Sequence, residues 1–282
     1  MESYIGQIKP GLMLAAVALI GSGLLGGSVY AGDKDEQARL VIVDCDKGQD
    51  LQEEIWRYLD DKRVLEIIVK GTCGEGDDEV IIERDRVLFE GDEDVVGYIN
   101  ARVLVDGARN IEIGDNMRLS SLFVSFGEVS IEAEGNVTID GDVFIVGQSS
   151  LTIDTALDDD DGLITAGLVT IHGPITIEGH SLLSVQSSVA EGQAPAGQVF
   201  LNGMLFARLQ SSMDLSHATV NDIVLEFDSH ALLGPGLLSA EGVTSVQCDQ
   251  QSRAWEEDPT GFTFEAVKDT RIGETCDSHI PD

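Results

Sequence analysis

The chain has 282 residues, with 51 acidic against 17 basic side chains and a formal net charge of −34 at pH 7. A body this acidic repels nucleic-acid phosphates and anionic headgroups, which excludes nucleic acid and anionic lipid as partners. Hydrophobic residues make up 43% of the chain but aromatic ones only 5%. That is enough for one large core, filled by branched aliphatic side chains, as thin stacked layers require.

Residues 1–31 read as a secretory signal. Lys9 and the free amine precede an apolar, small-residue stretch from Gly11 to Gly27, and Val29-Tyr30-Ala31 offers small residues at a cleavage site. The stretch is Gly-rich and shorter than the roughly 20 apolar residues that spanning needs. Cleavage after Ala31 is expected, leaving no membrane span and a secreted or periplasmic domain over 32–282.

Leu40 to Val43 reads as a first strand. Asp44 to Asp61 follows with Leu51, Ile55, Tyr58 and Leu59 at helical spacing, and Asp50 and Glu53 form a capping-box pattern. A single amphipathic helix at this point predicts a lid over the open end of a repeating β structure. Strands follow at Leu65–Val69, Val80–Ile82, Val87–Phe89, Val103–Val105 and Ile111–Ile113.

A short alternating pattern then recurs as Val129-Ser130-Ile131-Glu132, Val137-Thr138-Ile139-Asp140, Leu151-Thr152-Ile153-Asp154, Val169-Thr170-Ile171-His172 and Ile175-Thr176-Ile177-Glu178. Alternation marks half-buried strands, and recurrence at intervals of about 20 residues marks a solenoid. Ile113, Ile131, Ile153 and Ile171 are read as equivalent positions of successive coils, and Ile139 and Ile177 as a second series two turns apart. Gly, Asn and Asp at 106–107, 114–115, 135–136, 140–141 and 202–203 supply corners. The pattern loosens beyond Ser187, and 247–282 reads as a capping tail. The expected fold is all-β, a single-stranded right-handed parallel β-helix with the helix at 44–61 as N-terminal cap. An antiparallel sandwich or barrel is the alternative, because Asn-Gly and Asp-Gly also suit hairpins.

Four cysteines occur, an even number that suggests disulfides in an exported chain. Of the three possible pairings, Cys45–Cys73 and Cys248–Cys276 are expected, each closing a 28-residue separation at one end of the domain. A zinc site is the rival, weakened by the lack of a close Cys-x-x-Cys pair.

Val43-Asp44-Cys45, the segment Gly48-Gln49-Asp50-Leu51-Gln52, Ile68-Val69-Lys70-Gly71-Thr72-Cys73 and Val80-Ile81-Ile82 with Val87-Leu88-Phe89-Glu90-Gly91 resemble the N-terminal entry of exported bacterial right-handed β-helix proteins of the pectin-lyase-like group. The resemblance covers about 41–91 and implies the fold and its handedness. Pectate lyases and polygalacturonases belong to that group. The hydrolase pattern of Asn-Thr-Asp, Asp-Asp, Gly-His-Gly and Arg-x-Lys is matched here only in part, by Gly179-His180-Ser181, and basic residues are sparse beyond Arg118.

Two candidate sites remain. Glu132, Asp154 and His172 each follow the Ile of a coil and would form an outward row capable of acid–base chemistry. Asp158 and Asp160, in the run Asp158 to Asp161, offer oxygen ligands to Ca²⁺, without EF-hand spacing. No other cofactor is expected. Trp56 and Trp255 are read as packing residues. The function expected is that of an exported structural or binding protein presenting a lateral face to a polysaccharide or an envelope protein. A polysaccharide lyase or glycoside hydrolase using Glu132 and Asp154 is the alternative.

Overall fold

The computed structural model describes residues 38–92, 94–133, 135–158, 164–186, 198–233, 245–248, 252–257 and 264–266. The signal at 1–31 and much of the tail at 247–282 lie outside them. Among the described residues the strands form an 11-stranded sheet, a 13-stranded sheet and a two-stranded hairpin. Nearly all neighbouring strands are parallel. The antiparallel pairs among the described residues are the hairpin Ala156–Asp158 with Ile164–Ala166, Arg253–Glu257 with Phe264–Ala266, and a bridge between Asp92 and Val95. This pattern is compatible with a β-helix and overturns the antiparallel alternative.

The 13-stranded sheet bends. Gly97–Asp106 and Met117–Ser125 are long strands, and each pairs with one set of partners along its first half and another along its second. Three strand faces result, visited in turn by the chain. Sheet 1 holds Leu65–Lys70, Val87–Gly91, Ile111–Ile113, Glu128–Glu132, Ser150–Asp154 and Leu182–Gln186 in succession. The second face holds Asn136–Ile139, Leu168–Ile171 and Gln198–Leu201. The third holds Val143–Val146, Ile175–Glu178 and Leu205–Arg208.

Inward residues line up in rows. On sheet 1, Ile67, Phe89, Ile113, Ile131, Ile153 and Val185 pair in register. On the second face the row is Ile99, Leu119, Ile139, Ile171 and Leu201, and on the third it is Val105, Val124, Ile145, Ile177 and Ala207. All are at most 2% exposed. Burying each larger aliphatic side chain is worth roughly 1.5–3 kcal/mol, so these rows hold the coils together.

Two expectations are corrected by these rows. Ile171 does not follow Ile153; it pairs with Ile139 on the second face. Ile177 does not follow Ile139; it pairs with Ile145 on the third. The hairpin inserted between Ser150–Asp154 and Leu168–Ile171 lengthens that coil, so a gap of 18 residues falls short of a full turn there. The repeat also does not loosen at Ser187: Gln198–Leu201, Leu205–Arg208 and Ser212–Leu215 each pair with the strand of the coil before.

The helix is shorter than 44–61. A 3-10 turn at Cys45–Lys47 ends at Gly48, whose φ of 80° is left-handed, and the α-helix runs over Leu51–Arg57. Asp50 caps it by accepting from the Glu53 N–H at 3.1 Å. Leu51 and Ile55 are buried beneath it, but Trp56 is 56% exposed and does not pack. Gln52 reaches the outer edge of Glu79–Ile82: its Oε1 accepts from the Ile81 N–H at 2.5 Å and its Nε2 donates to the Ile81 carbonyl at 3.0 Å. One side-chain amide therefore replaces the neighbouring strand that this edge lacks. Arg84, 5% exposed, donates to the carbonyls of Tyr58 (2.5 Å) and Arg63 (2.7 Å) beyond the helix. Cys45 and Cys73 are disulfide-bonded, with Cα atoms 5.1 Å apart. In the second expected pair, Cys276 lies outside the described residues.

The corners repeat as strictly as the strands. Gly141, Gly173 and Gly203 stack between the second and third faces. A Cβ on Gly173 would collide with the Gly141 carbonyl, and one on Gly203 with the Gly173 carbonyl. Between the third face and sheet 1, Ser149, Ser181, Ser211 and Ser229 are buried, and each hydroxyl donates to the carbonyl three residues back. The hydroxyls also accept from the coil before: Gly127 N–H to Ser149 Oγ and Ser149 N–H to Ser181 Oγ, both at 3.2 Å.

Gly173→Ala is expected to cost about 1–3 kcal/mol by overpacking, read as a lower urea midpoint at unchanged m; an unchanged midpoint would show that the coils do not approach this closely. Replacing Cys45 and Cys73 together by Ser is expected to cost about 3 kcal/mol, from the loop entropy returned to the unfolded chain, measurable in the same denaturation series.

Candidate functional site

Side chains facing outward are free of the core, and each face carries its own chemistry. On sheet 1 acidic residues gather in the outward columns between Glu66 and Asp154. Glu132 pairs with Asp154, and Asp154 with Gln186. Ile113 pairs with Ile131, which sets Glu132 beside Gly114, and the stem of Glu90 lies against Gly114 on its other side. The adjacent column holds Glu66, Leu88, Glu112 and Ser130. Glu66, Glu90, Glu112 and Glu132 thus surround one another across four strands.

Glu112 is at their centre. Burial pushes its carboxyl up to about 7, and the charges of Glu132, Glu90 and Glu66 add to the effect. A carboxyl that holds its proton near neutrality can donate a hydrogen bond or act as a general acid.

The third face is aromatic. Phe123 and Phe144 pair in register, with ring centroids 5.7 Å apart and planes 33° apart. The row continues through Leu104 on one side and through Thr176, Phe206 and Val224 on the other. Arg208 lies over the Phe206 ring at 5.6 Å. Toward the second face, Arg102, Ser121, Asp142, Phe123 and Phe144 line a shallow groove of about 270 Å³. Of the phenylalanines whose side chains are described, Phe89 alone is in the core; Phe123, Phe126, Phe144, Phe200, Phe206 and Phe227 point outward.

The second face is polar. Tyr98 donates to Asn100 at 3.0 Å, Arg118 lies over the Tyr98 ring and its Nε donates to Asp140 at 2.7 Å.

Of the expected row, the structure brings Glu132 and Asp154 together and leaves His172 apart. His172 follows Leu168–Ile171 on the second face, where its ring meets the Asn202 amide at 3.4 Å. Asp158 ends the first strand of the hairpin, and Asp160 lies outside the described residues. No group of three or more His, Cys, Asp or Glu able to hold a metal ion occurs among the described residues. No helix among them is long and apolar enough to cross a membrane.

Sequence reasoning missed Glu112 and the aromatic strip. Both carry a signal. Leu122-Phe123-Val124, Val143-Phe144-Ile145 and Leu205-Phe206-Ala207 place Phe at the outward position of an alternating strand. Ile111-Glu112-Ile113 places an acid there in the same way. No family model, no curated protein and no solved structure matches the chain.

Glu112 makes stability depend on pH. Unfolded, it ionises near 4.5; folded, near 7. Between the two, the folded state holds a proton the unfolded state has lost. The contribution is therefore complete below pH 4.5 and lost as pH rises through 7. Glu112→Gln is expected to match the parent near pH 4 and to exceed it at pH 8 by on the order of 2 kcal/mol. Denaturation midpoints of both proteins across pH 4–8 check this.

Proposed function

We propose that the chain is an exported binding protein, a single-stranded right-handed parallel β-helix of the pectin-lyase-like type that presents a lateral face to a polysaccharide or a partner protein outside the inner membrane. The observation that carries the reading is the outward strip of Phe123, Phe144 and Phe206, bordered by Arg102, Asp142 and Arg208. Half-buried rings on a rigid sheet present the apolar face of a sugar with a platform, and flanking polar groups supply hydrogen bonds to its hydroxyls. Successive strands lie roughly 4.8 Å apart, a step comparable to one residue of an extended glycan. A polymer laid across the strands therefore meets a ring at Phe123, Phe144 and Phe206, with Thr176 between the last two. The entry segment at about 41–91 supports the handedness and the export, and its disulfide suits an oxidising compartment.

A second reading draws on sheet 1. Glu112, protonated near neutrality, would serve as the acid of a carbohydrate-active enzyme, with Glu132 beside it as the second carboxyl.

A glycan array separates the two. Binding without cleavage is expected, and replacing Phe123 and Phe144 by Ala should weaken it at least tenfold. Turnover of a polysaccharide that disappears in Glu112→Gln and in Glu132→Gln would replace the first reading by the second.

A further inference from the structure

The groove on the third face has a chemistry that selects among glycans. We infer that it takes an uncharged pyranose and rejects a uronate of the same linkage. The inference rests on the reading of this face as a glycan-binding surface and names the class of ligand.

The groove's walls are Phe123 and Phe144, whose rings meet the C–H face of a pyranose equally well whether or not the sugar carries a carboxylate. Discrimination must come from the polar rim of Arg102, Ser121 and Asp142. A uronate needs a cation to offset its charge. Arg102 is the cation lining the groove, and its Nη1 already donates to Glu79 Oε1 at 3.2 Å on the neighbouring strand. The pair leaves little positive charge to spare. Asp142, whose carbonyl accepts from the Leu122 N–H at 3.1 Å, lies across the central strand from Arg102, which pairs with Ser121. An incoming carboxylate would face it. The whole molecule adds to this, since its net charge of −34 repels an anionic polymer at long range.

A neutral sugar meets the same groups without penalty. The Asp142 carboxylate accepts from sugar hydroxyls, free N–H groups of Arg102 donate to them, and the Ser121 hydroxyl does either. The groove is thus rich in hydrogen-bonding groups but without spare positive charge.

Matched hexamers test this on the intact domain: β-1,4-linked glucose against glucuronate, and mannose against mannuronate, by calorimetry in 50 mM and 500 mM salt. At least one neutral hexamer should bind at least tenfold more tightly than its uronate at 50 mM salt, with the gap narrowing at 500 mM as the charges are screened. Phe144→Ala should weaken the neutral hexamer at least tenfold. Asp142→Asn, which keeps shape and removes charge, should narrow the gap between neutral and uronate hexamers several-fold by improving uronate binding. A circular-dichroism melt confirms that each variant is folded. Neither neutral hexamer bound tenfold more tightly than its uronate, a glucosamine hexamer bound tenfold tighter than glucose, or neutral binding indifferent to Phe144→Ala overturns the inference while the glycan-binding reading stands. Failure of every hexamer to bind overturns both.

Discussion

Successive coils are joined edge to edge, residue against equivalent residue, at the spacing of a β-ladder, roughly 4.8 Å. Nearly everything else in the molecule answers to that spacing. Strand residues meet it easily, because their side chains point into or out of the coil and their backbone groups are paired above and below. Corners meet it with difficulty, because there the backbone turns and its polar groups lose their partners. Two solutions recur. Gly141, Gly173 and Gly203 present no side chain, so one carbonyl can lie directly against the next residue. Ser149, Ser181, Ser211 and Ser229 fold their hydroxyls back onto the carbonyl three residues earlier, and Ser149 and Ser181 also accept from the coil before. An interior corner is thereby made polar without leaving a buried group unpaired.

Strand positions were legible because alternation is a local property. The rows containing Ile113, Ile131 and Ile153 could be read directly. Which strand sits beside which was less legible, because coil length varies: 18 residues separate Met213 from its partner Ala231, whereas 32 separate Ile139 from Ile171. A search for a fixed interval therefore linked Ile153 to Ile171 and misplaced His172. The firmer signal was at the corners. Gln148-Ser149, His180-Ser181, Gln210-Ser211 and Asp228-Ser229 repeat through the region where the strand pattern loosens, and each opens a strand of sheet 1. Met117–Ser125 escaped notice for a related reason: Ser120 and Ser121 both face outward where the strand bends between faces, which breaks the alternation midway.

Because the core is satisfied by alternate residues alone, the outward residues are unconstrained by folding, and their composition carries the functional information. Sheet 1 gathers Glu66, Glu90, Glu112 and Glu132, where burial first and mutual repulsion second raise the proton affinity of Glu112. The third face gathers phenylalanines that a packed interior would ordinarily claim. Of the two, the acidic face was partly visible as Glu132 and Asp154. The aromatic one went unread, although Leu122-Phe123-Val124 and Val143-Phe144-Ile145 put Phe at the outward position of an alternating strand.

Among the described strands between Glu128 and Leu233, the long sequence intervals fall at one corner, between sheet 1 and the second face: Ser150–Asp154 to Leu168–Ile171, which holds the hairpin, and Leu182–Gln186 to Gln198–Leu201. The ends of such an excursion are already held by the rungs on either side, and lengthening a closed loop adds only about 0.6 kcal/mol per doubling. The glycine and serine corners have no such latitude. Grafted peptides or inherited insertions should therefore accumulate along a single edge of the molecule, giving it one evolvable margin and two frozen ones.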